Sequence, residues 1–206
     1  MTDTPKLMLK FIFIGDTNVG KTSLLTLFRS NKVVTDTRPS LGSDFETHSE
    51  IINNEKIQLF LWDCSGQEKF RGITRTFLNQ ARGVLLIYSV TDRKSFEDVV
   101  RWIKDVENNC SHYVLALIGN KIDLPNRTVS TEEGRKLARE FKVRFFETSL
   151  FPDKLGEEGQ PIRAIVREMV IALMEQIKTE KPEENVMRQS FKLGGAKKAS
   201  GGSNCC

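Results

Sequence analysis

Short apolar runs alternate with helix-spaced apolar residues along most of this chain. Residues 9–14, LKFIFI, are rich in β-forming side chains and end at Gly15, which predicts a strand. Residues 21–29 place Leu24, Leu25, Leu27 and Phe28 at helical spacing. Residues 31–41 are polar and hold a proline, so they predict a loop. Residues 45–52 and 56–62 predict strands flanking Asn53-Asn54-Glu55, a hairpin signal. Residues 84–90, VLLIYSV, and 114–119, VLALIG, are unbroken apolar runs suited to central strands covered on both faces. Helices are predicted at 95–108 and 131–141, the second started by a capping box of Ser130 and Glu133. Residues 144–147 predict a last short strand. Residues 162–177 predict a last amphipathic helix, with Ile165, Val166, Met169 and Val170 on its apolar side.

This alternation predicts an α/β fold, a six-stranded, mostly parallel sheet with one antiparallel strand and helices on both faces. One domain is expected over residues 1–180. Residues 181–206 contain KLGGAKKASGGSNCC, and their Gly, Ser and Lys content predicts a flexible tail. No internal repeat is present.

Composition narrows the class. Of 206 residues, 28% are charged and 39% hydrophobic, which fits one soluble domain with a real core. A net charge of +4 is too mild for a nucleic-acid-binding face, so no nucleic acid partner is expected. The cysteines Cys64, Cys110, Cys205 and Cys206 show no C-x-x-C spacing, which argues against zinc. The start MTDTPKLMLK lacks the apolar core of a secretory signal. No stretch approaches the roughly 20 apolar residues of a membrane span. A reducing, cytosolic compartment with free thiols is expected. Membrane contact must then come from an anchor, and the terminal Cys205-Cys206 pair is the candidate. Two lipid chains hold a protein stably where one does not. Lys192, Lys197 and Lys198 add attraction to an anionic leaflet.

The chemistry begins with GDTNVGKT, Gly15 to Thr22, between a strand and a helix. Its glycines let backbone N–H groups converge on phosphate oxygens, and the helix N-terminus adds partial positive charge. Lys21 is placed to reach the outer phosphates and Thr22 to ligate Mg²⁺. Asn120-Lys121-x-Asp123 follows the strand VLALIG. A carboxylate there accepts from both N1–H and the exocyclic amine of guanine, a pair that adenine lacks. Asp63-x-x-Gly66-Gln67 ends the run IQLFLW. Its aspartate can hold Mg²⁺ through water, Gly66 N–H can meet the γ-phosphate, and Gln67 can orient the attacking water. Ser40, in the loop after the first helix, can complete the Mg²⁺ shell.

GDTNVGKT, RPSLGSDF, WDCSGQEKF, GNKID and ETS stand in the order and spacing of a Ras-superfamily small GTPase, over about residues 9–178. Within it the chain resembles the Rab family. LGSDF resembles the I-G-V-D-F element of switch one, and WDCSGQEKFRGIT resembles W-D-T-A-G-Q-E-R-F-R-x-I-T. FLNQARGVLLIYSVTD and the terminal Cys205-Cys206 also match. The ending is not C-a-a-X, unlike the Ras and Rho branches. The resemblance implies a P-loop GTPase fold and a vesicle-traffic switch that binds GTP or GDP with Mg²⁺. Its nucleotide would be held by Gly15, Asp16, Thr17, Asn18, Val19, Gly20, Lys21, Thr22, Ser23, Ser40, Asp63, Gly66, Asn120, Lys121, Asp123, Ser149 and Leu150. It implies Mg²⁺ on Thr22, Ser40 and Asp63, catalysis by Gln67, and lipidation of Cys205 and Cys206. Intrinsic hydrolysis is expected to be slow and raised by an activating protein, with no arginine from the chain itself serving. Effectors, exchange factors, activating proteins and a GDP-dissociation inhibitor would read residues 38–45 and 64–80. The protein is expected as a monomer, cycling between cytosol and the cytoplasmic face of an intracellular membrane.

Four departures stand out. Ser40 replaces threonine and keeps the hydroxyl. Ser65 replaces alanine beside the γ-phosphate, and either alters hydrolysis or switching or is a tolerated small-for-small change. Val33 stands where an aromatic covers guanine. Leu150-Phe151 follows ETS in place of Ala-Lys, with Phe151 either supplying the missing stacking or joining the core beneath the last helix. The rival readings are a nucleotide-binding module with weak or absent hydrolysis that recruits effectors constitutively, and an ATP-using P-loop enzyme.

Overall fold

The structure, a computed structural model, describes residues 5–33, 44–64 and 71–179. The chain runs β1 (Leu7–Ile14), α1 (Lys21–Ser30), β2 (Asp44–Ile52), β3 (Glu55–Asp63), α2 (Arg71–Leu78), β4 (Gly83–Ser89), α3 (Arg93–Glu97), α4 (Val99–Asn109), β5 (Val114–Asn120), α5 (Thr131–Glu140), β6 (Arg144–Glu147), a 3₁₀ turn (Pro152–Lys154) and α6 (Ile162–Thr179). One six-stranded sheet has the order β2-β3-β1-β4-β5-β6. Among the described residues only β2 against β3 is antiparallel; the other strand pairs are parallel. The expected fold is therefore the observed one.

Two apolar layers cover the sheet. Phe11, Phe13, Leu85, Ile87 and Ile118 face α1 and α6, meeting Leu24, Phe28, Ile165 and Met169. Ile12, Ile14, Leu86, Tyr88 and Leu117 face the opposite layer, meeting Trp102, Ile103 and Val106 of α4. The unbroken apolar runs follow from this double cover: every residue of β4 and β5 is buried. In the sheet β1 lies between β3 on one side and β4 on the other. The loop after β1 therefore sits at the point where strand order reverses, where α/β sheets bind ligands.

Three local expectations are corrected. The predicted helix 95–108 is two helices that meet at Asp98. Asp92, whose carboxylate accepts from the Lys94 and Ser95 N–H groups, starts the first. Ser95 Oγ accepts from Ser89 N–H at 3.0 Å and ties α3 to the end of β4, whereas α4 turns Trp102 toward Asp16. In the hairpin, Glu55 belongs to β3, and the turn is Asn53-Asn54 alone, both at positive φ (52° and 62°). That is a two-residue turn of the type whose twist matches the strands. Phe151 does not enter the core; Leu150 packs against it instead. The Phe151 ring carries the Lys154 ammonium 5.0 Å from its centroid. Helix α2 and the 3₁₀ turn were not anticipated. Among the described residues, no helix is long and apolar enough to cross a membrane.

Candidate functional site

The predicted phosphate loop joins β1 to α1 at the carboxyl end of the sheet. Gly15 takes φ 134°, and a Cβ there would overlap the Ile87 carbonyl oxygen on neighbouring β4. Gly20 takes φ 99°, and a Cβ there would overlap the Asn120 amide. Glycine at both positions thus allows two close backbone approaches. Helix α1 then starts with no side-chain cap and no acidic residue in its first turn. Its dipole presents positive charge that no carboxylate of that turn offsets.

Lys21 is 5% exposed, and its Nζ donates to the Asp16 carbonyl at 2.6 Å. Burial pulls this ammonium down to about 8, against the upward pull of Asp63 and Asp16. A buried cation held mainly by a carbonyl is suited to an incoming anion. Thr22 Oγ1 donates to Asp63 Oδ2 at 2.6 Å. The hydroxyl oxygen keeps lone pairs for a cation, and the carboxylate stands beside it. Among the described residues, no group of three or more His, Cys, Asp or Glu could hold a metal alone. A hydroxyl and one carboxylate instead fit Mg²⁺, which retains waters and takes substrate phosphates as ligands.

Asp16 reaches sideways. Its Oδ1 accepts from Trp102 Nε1 at 2.8 Å, with Arg101 at 3.9 Å. Burial raises its carboxyl, while the Trp102 N–H lowers it. Thr17 is half-buried, Asn18 exposed at φ 63°, Val19 fully buried, and Ser23 buried in the first turn of α1.

The predicted base-reading loop lies against this cradle. Asn120 Nδ2 donates to the Val19 carbonyl at 2.8 Å, and Lys121 Nζ to the Asn18 carbonyl at 2.6 Å. Ser149 Oγ donates to Asp123 Oδ1 at 2.5 Å and accepts the Phe151 N–H at 3.0 Å. Asn120 and Lys121 thus fasten one loop to the other, and Asp123 is the member held by its neighbour at the carboxylate. Asn120 Oδ1 is buried without a partner among the described residues, as an atom awaiting a donor would be. Val33 is 39% exposed. Ser40, Ser65, Gly66, Gln67, Cys205 and Cys206 lie outside the described residues. Cys64, beside Asp63, is buried and its thiol is pushed up to about 12, so it is inert at neutral pH.

The loops that carry the predicted phosphate, metal and base motifs thus meet at the carboxyl end of the sheet. The sequence matches the Ras family over residues 10–159. It is 32% identical to the Ras-related protein Rab-18 of Caenorhabditis elegans over 207 residues, covering 100% of this chain and 97% of that one. The chain is a Rab small GTPase. It is also 39% identical to the GTP-binding protein ypt3 of Schizosaccharomyces pombe, over 74% of this chain and 72% of that one. To Ras-related protein Rab-13 of Rattus norvegicus it is 40% identical, over 69% of this chain and 71% of that one.

Away from the nucleotide loops, this Rab carries an aromatic stack that sequence reading did not pair. Phe45, 54% exposed, stacks on Trp62 at 5.0 Å with 21° between rings, and Phe77 lies 5.1 Å beyond. Lys10 sits 5.0 Å over the Trp62 ring. Phe45 and Phe77 belong to the two predicted switch segments, so the stack joins them across β3. Arg127 and Trp102 were also missed, because no local motif marks them; Glu147 opens the ETS motif, but its pairing with Arg127 was not anticipated.

Proposed function

We propose that this Rab is a GTP-hydrolysing molecular switch in vesicle traffic. The observation that carries the reading is the fastening of the Asn120–Asp123 loop onto the Asn18–Val19 carbonyls, which gives one continuous surface for phosphates and guanine. In this reading Gly15, Asp16, Thr17, Asn18, Val19, Gly20 and Ser23 wrap the phosphates and Lys21 contacts the outer ones. Thr22, Ser40 and Asp63 hold Mg²⁺, which when bound offsets charge on the phosphate oxygens. Asp123 accepts the two guanine donors, and the Leu150 N–H faces the guanine oxygen. Gly66 meets the γ-phosphate, and Gln67 orients the water that attacks it.

GTP orders residues 38–45 and 64–80, and hydrolysis releases them. Effectors, exchange factors, activating proteins and a dissociation inhibitor read that change, with the Phe45–Trp62–Phe77 stack as the apolar centre of the effector face. Residues 1–180 form the GTPase unit. Residues 181–206 are the tether, lipidated at Cys205 and Cys206 on the cytoplasmic face of an intracellular membrane.

A single-turnover assay with GTP and Mg²⁺, with and without Gln67→Leu, tests this reading. Slow release of phosphate that the substitution abolishes is expected. Tight GTP binding with no phosphate release from either protein would favour a constitutive effector-recruiting scaffold. Displacement of GTP by equimolar ATP would instead favour an ATP-using enzyme.

A further inference from the structure

The loop that presents Asp123 is exposed at Leu124, Pro125 and Asn126. Backbone bonds tie the loop at its two ends, Ile122 N–H to the Thr148 carbonyl at 3.4 Å and Thr128 N–H to the Val90 carbonyl at 2.8 Å, and between them Leu124 N–H folds back on Lys121 at 3.1 Å. A side chain four residues past Asp123 adds to these ties. Arg127 Nη1 and Nη2 donate to Glu147 Oε1 and Oε2 at 2.7 and 3.2 Å, and Nη1 also donates to the Val129 carbonyl at 3.1 Å. Glu147 is 4% exposed and takes a third bond from Thr131 Oγ1 at 3.1 Å. Its carboxylate is therefore a fixed anchor inside the fold. Glu147 ends β6, directly opposite Gly119 of β5 and two residues before Ser149, the donor to Asp123.

We propose that Arg127 is the positioning residue of the guanine-reading loop, its forked bond to Glu147 holding Asp123 where the carboxylate meets both guanine donors at once. The inference rests on the base-reading role proposed above for Asp123. Two supports converge on that carboxylate. Ser149 fixes one oxygen from the β6 side, and Arg127 fixes the loop itself to the same β6 end. A planar fork sets angle as well as distance, which a point charge does not. Two parallel acceptors must face two parallel donors, so angular error at Asp123 costs one of the two bonds first.

The test compares GDP with inosine diphosphate, which keeps N1–H and lacks the exocyclic amine. Displacement of a fluorescent GDP analogue gives both affinities for wild type, Arg127→Met and Arg127→Lys, with thermal unfolding run alongside. Wild type should prefer GDP by about tenfold or more, since a site built for a donor rejects the analogue without it. Arg127→Met should shrink that ratio by about fivefold, and Arg127→Lys by less, as neighbouring groups couple by such amounts. Should the Met variant not fold, the Lys variant carries the comparison. Affinities that fall together with an unchanged ratio would make the clamp purely structural and overturn the inference alone. A wild type that does not distinguish the two nucleotides would overturn the reading of Asp123, and the inference with it.

Discussion

Lys21 concentrates the energetics of the site in one side chain. Its ammonium is buried at the mouth of α1, and burial pulls it from 10.5 to about 8. A lysine depressed in the folded state costs stability wherever it is charged. The cost is complete below about pH 8 and fades as pH rises toward the unfolded value of 10.5. In protein stripped of nucleotide, Lys21→Met should therefore be the more stable below pH 8, by on the order of 3 kcal/mol. That advantage should close between pH 8 and 10.5, read as the difference between two urea titrations, in which Tyr88 cancels. Gly15 predicts a loss instead: Gly15→Ala puts a methyl into the Ile87 carbonyl at φ 134° and should cost about 2–4 kcal/mol, measured the same way. Single residues such as these were legible in the sequence because the phosphate and base motifs are contiguous and their chemistry is local. Trp102 was not legible. Its bond to Asp16 spans 86 positions, and only the topology brings them together.

At the scale of elements, the apolar runs yielded the strands because sheet burial is a pattern property, read without knowing the partner strand. What they left uncertain was punctuation. Counting Glu55 into the hairpin turn would set Phe45 opposite Asp63. The two-residue turn sets it opposite Trp62, with Ile52 opposite Glu55, and so creates the aromatic stack. One residue of turn length decided whether that surface was visible. The same turn carries a prediction. Asn54 sits at φ 62° where glycine is unstrained, so Asn54→Gly should stabilise by a few tenths of a kcal/mol, seen as a raised urea midpoint at constant slope. Ser130, by contrast, was placed from sequence because a capping box is written in four residues. Its Oγ accepts from Glu133 N–H at 3.2 Å and Glu133 Oε2 accepts from Ser130 N–H at 2.9 Å. Ser130→Ala should cost about 1 kcal/mol. The Ser130 N–H and Arg93 hold the Glu133 carboxyl down to about 2. Stability from that group is complete above the usual glutamate range and lost as pH falls from 4.5 toward 2. Ser130→Ala should blunt this acid limb only by the share of the lost Oγ bond to Glu133 Oε2, leaving the shares of the residue-130 backbone N–H and Arg93.

For the whole molecule, the decisive fact is that the site gathers chain from the ends of β1, β3, β5 and β6. Lys21 and Thr22 follow β1, Asp63 ends β3, Asn120 ends β5, and Ser149 lies two residues beyond β6. Those strands share two apolar layers that run the width of the sheet. A ligand that bridges the four ends cannot stabilise one loop and leave the rest; it must shift the unfolding of the domain as a unit. Ligand at a hundred times its dissociation constant adds about 2.7 kcal/mol. In a domain of this size each kcal/mol moves the melting temperature by about 2–4 °C. Removing Mg²⁺ and nucleotide with EDTA should therefore lower the midpoint of a single transition by about 5–10 °C, and returning GDP with Mg²⁺ should restore it. ATP with Mg²⁺ should not, because Asp123 would face no matching donors. Lys21→Met should lose most of the response to GDP while its stripped form melts no lower than stripped wild type, since the methionine removes a buried charge along with the phosphate contact. A midpoint indifferent to GDP would mean that the ligand grips a locally ordered loop rather than the sheet. An equal rise with ATP would mean that the cradle reads phosphate alone, and that the fastening of Asn120 and Lys121 to its carbonyls serves the fold rather than the choice of base.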